Sequence, residues 1–339
     1  MTTLLLIIFF LALLLIGVPI FVVIAGLTLY LLFTSQIDIT ALIIEIHRMA
    51  TTPVLVAIPL FTFAGYLLSA SGAPNRLIRL SNAIMGWLPG GLSVIALVTC
   101  AVFTALTGAT GLTIIALGGI LLPVMMRARY SETFSLGLLT TSGTLGLLFP
   151  PSLPLIIYAI VAQVRIDHLF IAGLLPGLLL IMLLSAFSIY KSVRTDVPKT
   201  RFDFKGLAGA TREILWELPL PFVVLGGIYS GYFAVSEAAA ITTVYVLLAE
   251  VVIYRDIRIR QLPEIMKKSM ILVGAILIIL GAAMGLTNYL VDAEIPLRLL
   301  DFSKANIESR VVFLVVLLSL IHISEPTRRT IPSRMPSSA

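Results

Sequence analysis

The chain has 339 residues, of which 59% are apolar and only 12% charged, with a mean hydropathy of +1.09. Soluble domains carry about 45–50% apolar and about 25% charged residues. A soluble enzyme, a secreted disulfide scaffold and a disordered chain are therefore excluded, and a polytopic membrane protein remains. The single cysteine, Cys100, can form no internal disulfide. The net charge of +6 is carried by basic residues between apolar runs, the pattern of cytoplasmic loops rather than of a nucleic-acid surface.

Apolar runs occur at 4–33, 53–69, 91–107, 112–126, 133–163, 169–190, 214–230, 236–254, 269–290 and 311–323. The first is too long, and too poor in leading basic residues, for a cleavable signal peptide, so it reads as a span. Gly17-Val18-Pro19 predicts a kink in it. Run 133–163 is also longer than the ~20 residues a span needs. Pro150-Pro151 in its middle removes two backbone donors, which predicts one span broken into two half-helices.

Basic clusters at 191–213 and 255–268 place both segments in the cytoplasm, and the two runs between them agree in parity. Counting backwards puts Arg127, Arg129, Arg76 and Arg79 inside and predicts a cytoplasmic N-terminus. Pro74-Asn75-Arg76-Leu77-Ile78-Arg79-Leu80-Ser81 resembles Pro296-Leu297-Arg298-Leu299-Leu300-Asp301-Phe302-Ser303. By parity the two stretches lie on opposite faces, the signature of an inverted-repeat secondary transporter. After Leu320 the apolar character stops about ten residues into a span, so 321–339 is expected to be a non-native or disordered tail.

Catalytic motifs are missing: there is no G-x-S-x-G, H-E-x-x-H, Walker lysine loop or C-x-x-C. No catalytic residue and no cofactor is expected. Thr104 to Thr113, rich in Thr and Gly, separates runs 91–107 and 112–126. Such a turn at membrane depth frees carbonyl and hydroxyl oxygens that suit a hard cation such as Na⁺. Spacing alone leaves a re-entrant hairpin and a plain pair of spans both open. The run Thr140 to Ser152 interrupts a span with hydroxyls, glycines and two prolines, exposing half-helix ends that attract ions. Ser236-Glu237 reads either as a transport carboxylate or as a helix cap with Ser236 as the capping residue. Glu217 and Glu250 read as interfacial.

Several segments together resemble the large membrane subunit of TRAP transporters (tripartite ATP-independent periplasmic transporters, the DctM-like family). They are Gly17-Val18-Pro19, Ala57-Ile58-Pro59-Leu60-Phe61 with Ala64-Gly65, the turn near Gly108, and Ser142-Gly143-Thr144-Leu145-Gly146. They continue with Pro150-Pro151-Ser152, Ile171-Ala172-Gly173-Leu174-Leu175-Pro176-Gly177 and the stretch Gly231 to Ala240. Where the family often reads Ser-Gly-Ser, this chain has Thr107-Gly108-Ala109; where it often reads Thr-Pro-Thr-Glu, Ala234-Val235-Ser236-Glu237 stands. The family's second hairpin and second broken helix have no match, so a chain truncated before them is expected.

The resemblance implies an all-α, polytopic, inverted-repeat elevator-type transporter with a re-entrant hairpin and a broken helix. The first repeat would occupy 1–190, with the hairpin at about 89–128 and the broken helix at about 132–163. A basic cytoplasmic loop would follow at 191–213, then an incomplete second repeat at 214–320. Na⁺-coupled import of an organic acid across the bacterial inner membrane is implied, as a multi-pass protein in the lipid bilayer and without nucleic acid. The implied partners are a small TRAP membrane subunit and a periplasmic solute-binding protein. Thr107, Gly108, Thr110, Ser142, Gly143, Thr144 and Gly146 would supply oxygens to one Na⁺, and Pro150, Pro151 and Ser152 would place the substrate carboxylate. No other metal is implied. The alternatives are a related symporter that needs no binding protein, and a non-transporting membrane scaffold.

Overall fold

A computed structural model describes residues 9–10, 12–88, 90–193, 204–307 and 309–324. Among these every regular element is helical. The chain divides into two compact units, one formed by Ile43–Gly281, the other by the chain up to Leu42 together with the chain from Ala282 onwards.

In the second of these the chain is helical over 12–15, turns at Ile16 and at Gly17 (φ +91°), and restarts after Pro19 as α1 (Ile20–Thr34). The expected kink is thus a complete break, because the left-handed glycine and the following proline both end helical hydrogen bonding. The unit of Ile43–Gly281 opens within α2 (Thr40–Ala50) and continues through a short 3₁₀ turn into α3 (Ala57–Ala70) and the amphipathic α4 (Ala73–Met85). Then come α5 (Gly91–Thr107), α6 (Thr110–Ala116) and α7 (Gly118–Arg127), followed by α8 (Glu132–Leu145) and α9 (Leu153–Ala162). The long α10 (Ile166–Val193) precedes the amphipathic α11 (Phe204–Glu213), α12 (Pro219–Tyr229) and α13 (Val235–Leu248). Helix α14 (Leu262–Asp292) leaves this unit, and α15 (Ile295–Asn306) and α16 (Arg310–Ser324) follow it. Residues 194–203 of the basic loop and 325–339 of the expected tail lie outside the described residues.

Among the described residues four helices are long and apolar enough to cross a membrane: Pro53–Ala70, Ile166–Val193, Val235–Ile253 and Ile259–Asp292. Two bent pairs bring this to six if each is one span, with bends of 48° between α6 and α7 and 45° between α8 and α9. On α10, Leu175, Leu179, Met182, Leu183 and Phe187 are all exposed. An apolar band of that extent is stable only against lipid or another apolar surface. The chain is a multi-pass membrane protein.

The inward faces of α3, α5, α7 and α8 form one core around Leu67, Leu97, Phe103, Leu121 and Met125. Hydroxyls within it are satisfied by their own helices: Thr62 donates to Ile58 O at 2.7 Å and Thr242 to Ala238 O at 2.6 Å. Thr243 also donates to Leu60 O at 2.9 Å, which joins α13 to α3. Tyr130 Oη lies 2.7 Å from Ser192 Oγ and 3.4 Å from Ser93 Oγ. The start of α5, the end of α7 and the end of α10 therefore meet at one level.

Three sequence expectations change. Run 214–230 is helical only from Pro219, because the preceding turn carries Glu217 inward to Arg76. Glu217 and Glu250 are 5% and 0% exposed rather than interfacial, since Arg76 supplies the partner that burial demands. Run 269–290 is the core of a longer helix that begins at Leu262, with Lys268 paired to Glu264 at 2.8 Å on its exposed first turns.

Glycines on α10 admit the broken pair. A Cβ on Gly173 would collide with the carbonyl oxygen of Leu148, and one on Gly177 would lie 2.7 Å from the Phe149 ring. Gly173→Val is expected to lower stability by about 1–3 kcal/mol. Leu179→Ala, on the exposed face of α10, should change it by less than about 0.5 kcal/mol. Melting temperatures of the two variants in one detergent check the contrast.

Candidate functional site

The candidate site is where two interruptions of regular helix meet. At the first, α5 ends at Thr107 and Gly108 takes the left-handed region at φ +67°, its N–H donating to Thr104 O at 2.7 Å. Ala109 is extended and α6 starts at Thr110. Only Gly enters that conformation without strain, which explains residue 108. At the second, α8 gives way to a 3₁₀ turn over Gly146–Leu148, the Pro150–Pro151 peptide is cis, and α9 starts behind Ser152.

The two interruptions touch. A Cβ on Gly108 would lie 2.8 Å from Leu153 Cγ and 3.6 Å from Leu153 N, so the α5–α6 tip rests on the first turn of α9. Three more glycines seat the tip by backbone contact. A Cβ on Gly65 of α3 would lie 2.5 Å from Thr107 O. One on Gly146 would lie 2.5 Å from Ala101 O, and one on Gly143 would lie 3.2 Å from Ile114 and 3.8 Å from Thr110 O. Inside the tip, Thr104 Oγ1 donates to Thr113 Oγ1 at 2.6 Å and braces its two arms.

Two hydroxyls flank this contact and have no hydrogen-bond partner. Thr107 Oγ1 precedes Gly108, Ser152 Oγ precedes Leu153, and both residues are fully buried. Leaving a buried hydroxyl unpaired costs about 1–3 kcal/mol, and native structures keep few such groups. The termini around them carry complementary partial charges. The C-terminal carbonyl end of α5 is negative and the N-terminal amide end of α9 is positive.

A cavity of about 830 Å³ opens beside the tip. Gly108 to Leu112 of the tip, Leu153, Pro154 and Tyr158 of α9, Tyr66 of α3, and Leu272 and Ile276 of α14 line it. Its size matches a small-molecule site, and its walls are mainly apolar with backbone polar groups at the tip.

The predicted site residues thus fall into four sets. Gly108 and Thr110 line the cavity. Thr107, Ser152, Pro150 and Pro151 are buried behind it, and Gly143 and Gly146 seat the tip. Ser142 and Thr144 stand apart. Ser142 Oγ donates to Leu138 O at 2.5 Å, and exposed Thr144 Oγ1 donates to Thr141 O at 2.8 Å. Glu237 accepts a hydrogen bond from Ala234 N at 2.9 Å and so caps α13, while Ser236 is not the capping residue. Tyr66, Tyr158, Leu272 and Ile276 were not predicted. Gly65 is the only nearby signal in the sequence, because the others are ordinary residues of apolar helices.

A protein-family model described as "Tripartite ATP-independent periplasmic transporter, DctM component" matches residues 7–324. The chain belongs to that family. Among DctM-family relatives, it is 34% identical over 269 residues to the C4-dicarboxylate TRAP transporter large permease protein of Pseudomonas aeruginosa, covering 79% of this chain and 63% of that protein. It is 34% identical to the ectoine/5-hydroxyectoine TRAP transporter large permease protein of Ruegeria pomeroyi, covering 73% and 58%. It is 31% identical to the ectoine TRAP transporter large permease protein of Halomonas elongata, covering 85% and 69%. The chain thus spans roughly three fifths of the length of the first two relatives. The glycines that seat the tip in this DctM-family chain, Gly65, Gly143 and Gly146, and those that admit the broken pair, Gly173 and Gly177, are those of its sequence motifs.

Thr107→Val keeps the side-chain shape and deletes the unpaired hydroxyl. It is expected to stabilise the ligand-free protein by about 1–3 kcal/mol in denaturant titration. Gly65→Ala, which drives a methyl group onto the Thr107 carbonyl, should destabilise it by a similar amount.

Proposed function

We propose that this chain works as the large permease subunit of a TRAP transporter and carries a Na⁺-coupled site at the α5–α6 tip. The reading rests on one observation: Thr107 and Ser152 present buried, unpaired hydroxyls on either side of the contact between the tip and the broken span. A dehydrated cation satisfies such oxygens together with the carbonyl end of α5. The amide end of α9 takes the carboxylate of an organic acid in the adjoining cavity.

In this reading α5 to α7 form a re-entrant hairpin. The tip meets α8–α9 at the middle of that pair, which supports a turn at membrane depth rather than at the far surface. Elevator-type alternating access moves the site across the bacterial inner membrane, with the N-terminus in the cytoplasm. A small membrane subunit and a periplasmic solute-binding protein complete the system, and the binding protein selects the organic acid.

Melting temperature in NaCl against KCl at equal ionic strength tests the cation site. Na⁺ is expected to stabilise the wild-type chain in a saturable way, and Thr107→Val and Ser152→Ala to weaken that effect at least tenfold in Na⁺ concentration. Equal curves in both salts for all three proteins would remove the assignment and favour a scaffold role. Uptake that needs no added periplasmic protein would instead point to a symporter acting alone.

A further inference from the structure

A second polar site lies in Ile43–Gly281, away from the tip. Arg76 of α4 is 6% exposed, and all three guanidinium nitrogens are occupied. Nε donates to Glu217 Oε1 at 2.8 Å, and Nη1 donates to Asp256 Oδ2 at 2.6 Å. Nη2 donates to Glu217 Oε1 and also to Glu250, at 2.9 Å to Oε2 and 3.2 Å to Oε1. The Tyr254 ring covers the guanidinium at 3.8 Å. Tyr254 Oη donates to Glu213 O at 2.7 Å, which ties this group to the chain before α12. A π-turn over Ala249–Ile253 at the end of α13 carries Glu250. Burial works against the charge on Arg76, but the bonds from Glu217 and Asp256 outweigh it and hold its proton above the usual range.

The charges do not balance. One guanidinium faces three carboxylates. Asp256, with a side chain 28% exposed, keeps water and also accepts from Gly72 N at 2.8 Å. Glu217 and Glu250 are 5% and 0% exposed and bond the same nitrogen. Two buried carboxylates that share one cationic partner repel each other, and a buried charge without compensation is strongly unfavourable. Arg79, on the same helix as Arg76, is exposed and pairs with Glu213 at 2.7 Å. The groups facing the pair are therefore Arg76 from α4, Asp256 and Tyr254 from the turn after α13, and no second base among the hydrogen bonds and ion pairs described.

We propose that Glu217 and Glu250 form a proton-binding pair that holds one proton between them against Arg76. The proton cancels the excess charge and lets one carboxyl donate to the other. Loaded, the pair clamps α4 to the turn before α12 and to the end of α13. Unloaded, two like charges share Nη2 and the clamp loosens. Helix α4 leads into α5, so this clamp holds the entry to the tip hairpin. The site is separate from the Na⁺ reading: its ligand is a proton, and its residues touch neither the tip nor the cavity.

The sign of the pH effect follows from linkage. In the unfolded chain both glutamates are ionised above about pH 5, whereas the folded pair keeps a proton. The folded state then binds one proton more, so stability falls as pH rises, by up to tenfold in the folding constant per pH unit. Melting temperatures of the purified chain in nanodiscs, from about pH 5 to about pH 9, should fall more steeply for the wild type than for Glu250→Gln or Glu217→Gln. At the alkaline end each Gln variant should be at least as stable as the wild type. Infrared spectra in H₂O and D₂O read the proton directly. A carboxylic-acid carbonyl band present at neutral pH should be missing from both Gln variants and retained in Glu45→Gln, the control for the other buried glutamate. A wild type without that band, or Gln variants that keep it, would overturn the proposal. So would Gln variants that lose stability equally at every pH, because that result means both carboxylates are charged and needed. If one Gln variant does not fold, the wild-type spectrum and the other variant still decide.

Discussion

The structure depends on one constraint: a polypeptide inside an apolar medium must satisfy its own backbone polar groups. Wherever a helix stops at that depth, the freed N–H and C=O groups need partners. Here two stops are set against each other, the tip at Gly108–Ala109 and the break between α8 and α9. Each supplies the surface that the other lacks. What they leave unpaired is small and local, the hydroxyls of Thr107 and Ser152.

The glycines make this contact possible. At Gly65, Gly146 and Gly173 the neighbour is a backbone carbonyl, at a distance that any side chain would block. Helix packing through such small residues brings main chains close and excludes flexible side chains from the gap. The socket is consequently built from backbone, which moves little, while the cavity beside it is walled by apolar side chains. The proposed cation and organic-acid site rests on this arrangement of a backbone socket beside an apolar wall.

Charge follows a different logic. Charged side chains ordinarily stand where water is available. Arg76, Glu217 and Glu250 do not, and they are tolerated only because they meet. Their meeting joins α4 to the turn before α12 and to the end of α13, which lie 141 and 174 residues further along the chain. The helix end at α13 is widened into a π-turn where Glu250 enters, an adjustment of regular structure around a buried polar group.

Composition alone decided that the chain spans a membrane, because no soluble fold hides so much apolar surface. The interruptions at Gly17–Pro19, at Gly108 and at Pro150–Pro151 were legible, since Gly and Pro act on the local backbone and need no distant partner. The motif glycines were visible as a pattern, but their purpose was not. A missing Cβ acquires meaning only from the atom that approaches it, and that atom lies on another helix. The same reason hid Glu217 and Glu250, whose sequence neighbours are apolar and whose partner is Arg76. It also hid the cavity walls contributed by Tyr66 and α14, and it decided the role of Glu237, which returns to Ala234 N. Local backbone chemistry is written along the chain. Long-range pairing of charge, hydroxyl and bare backbone exists only once the helices are packed.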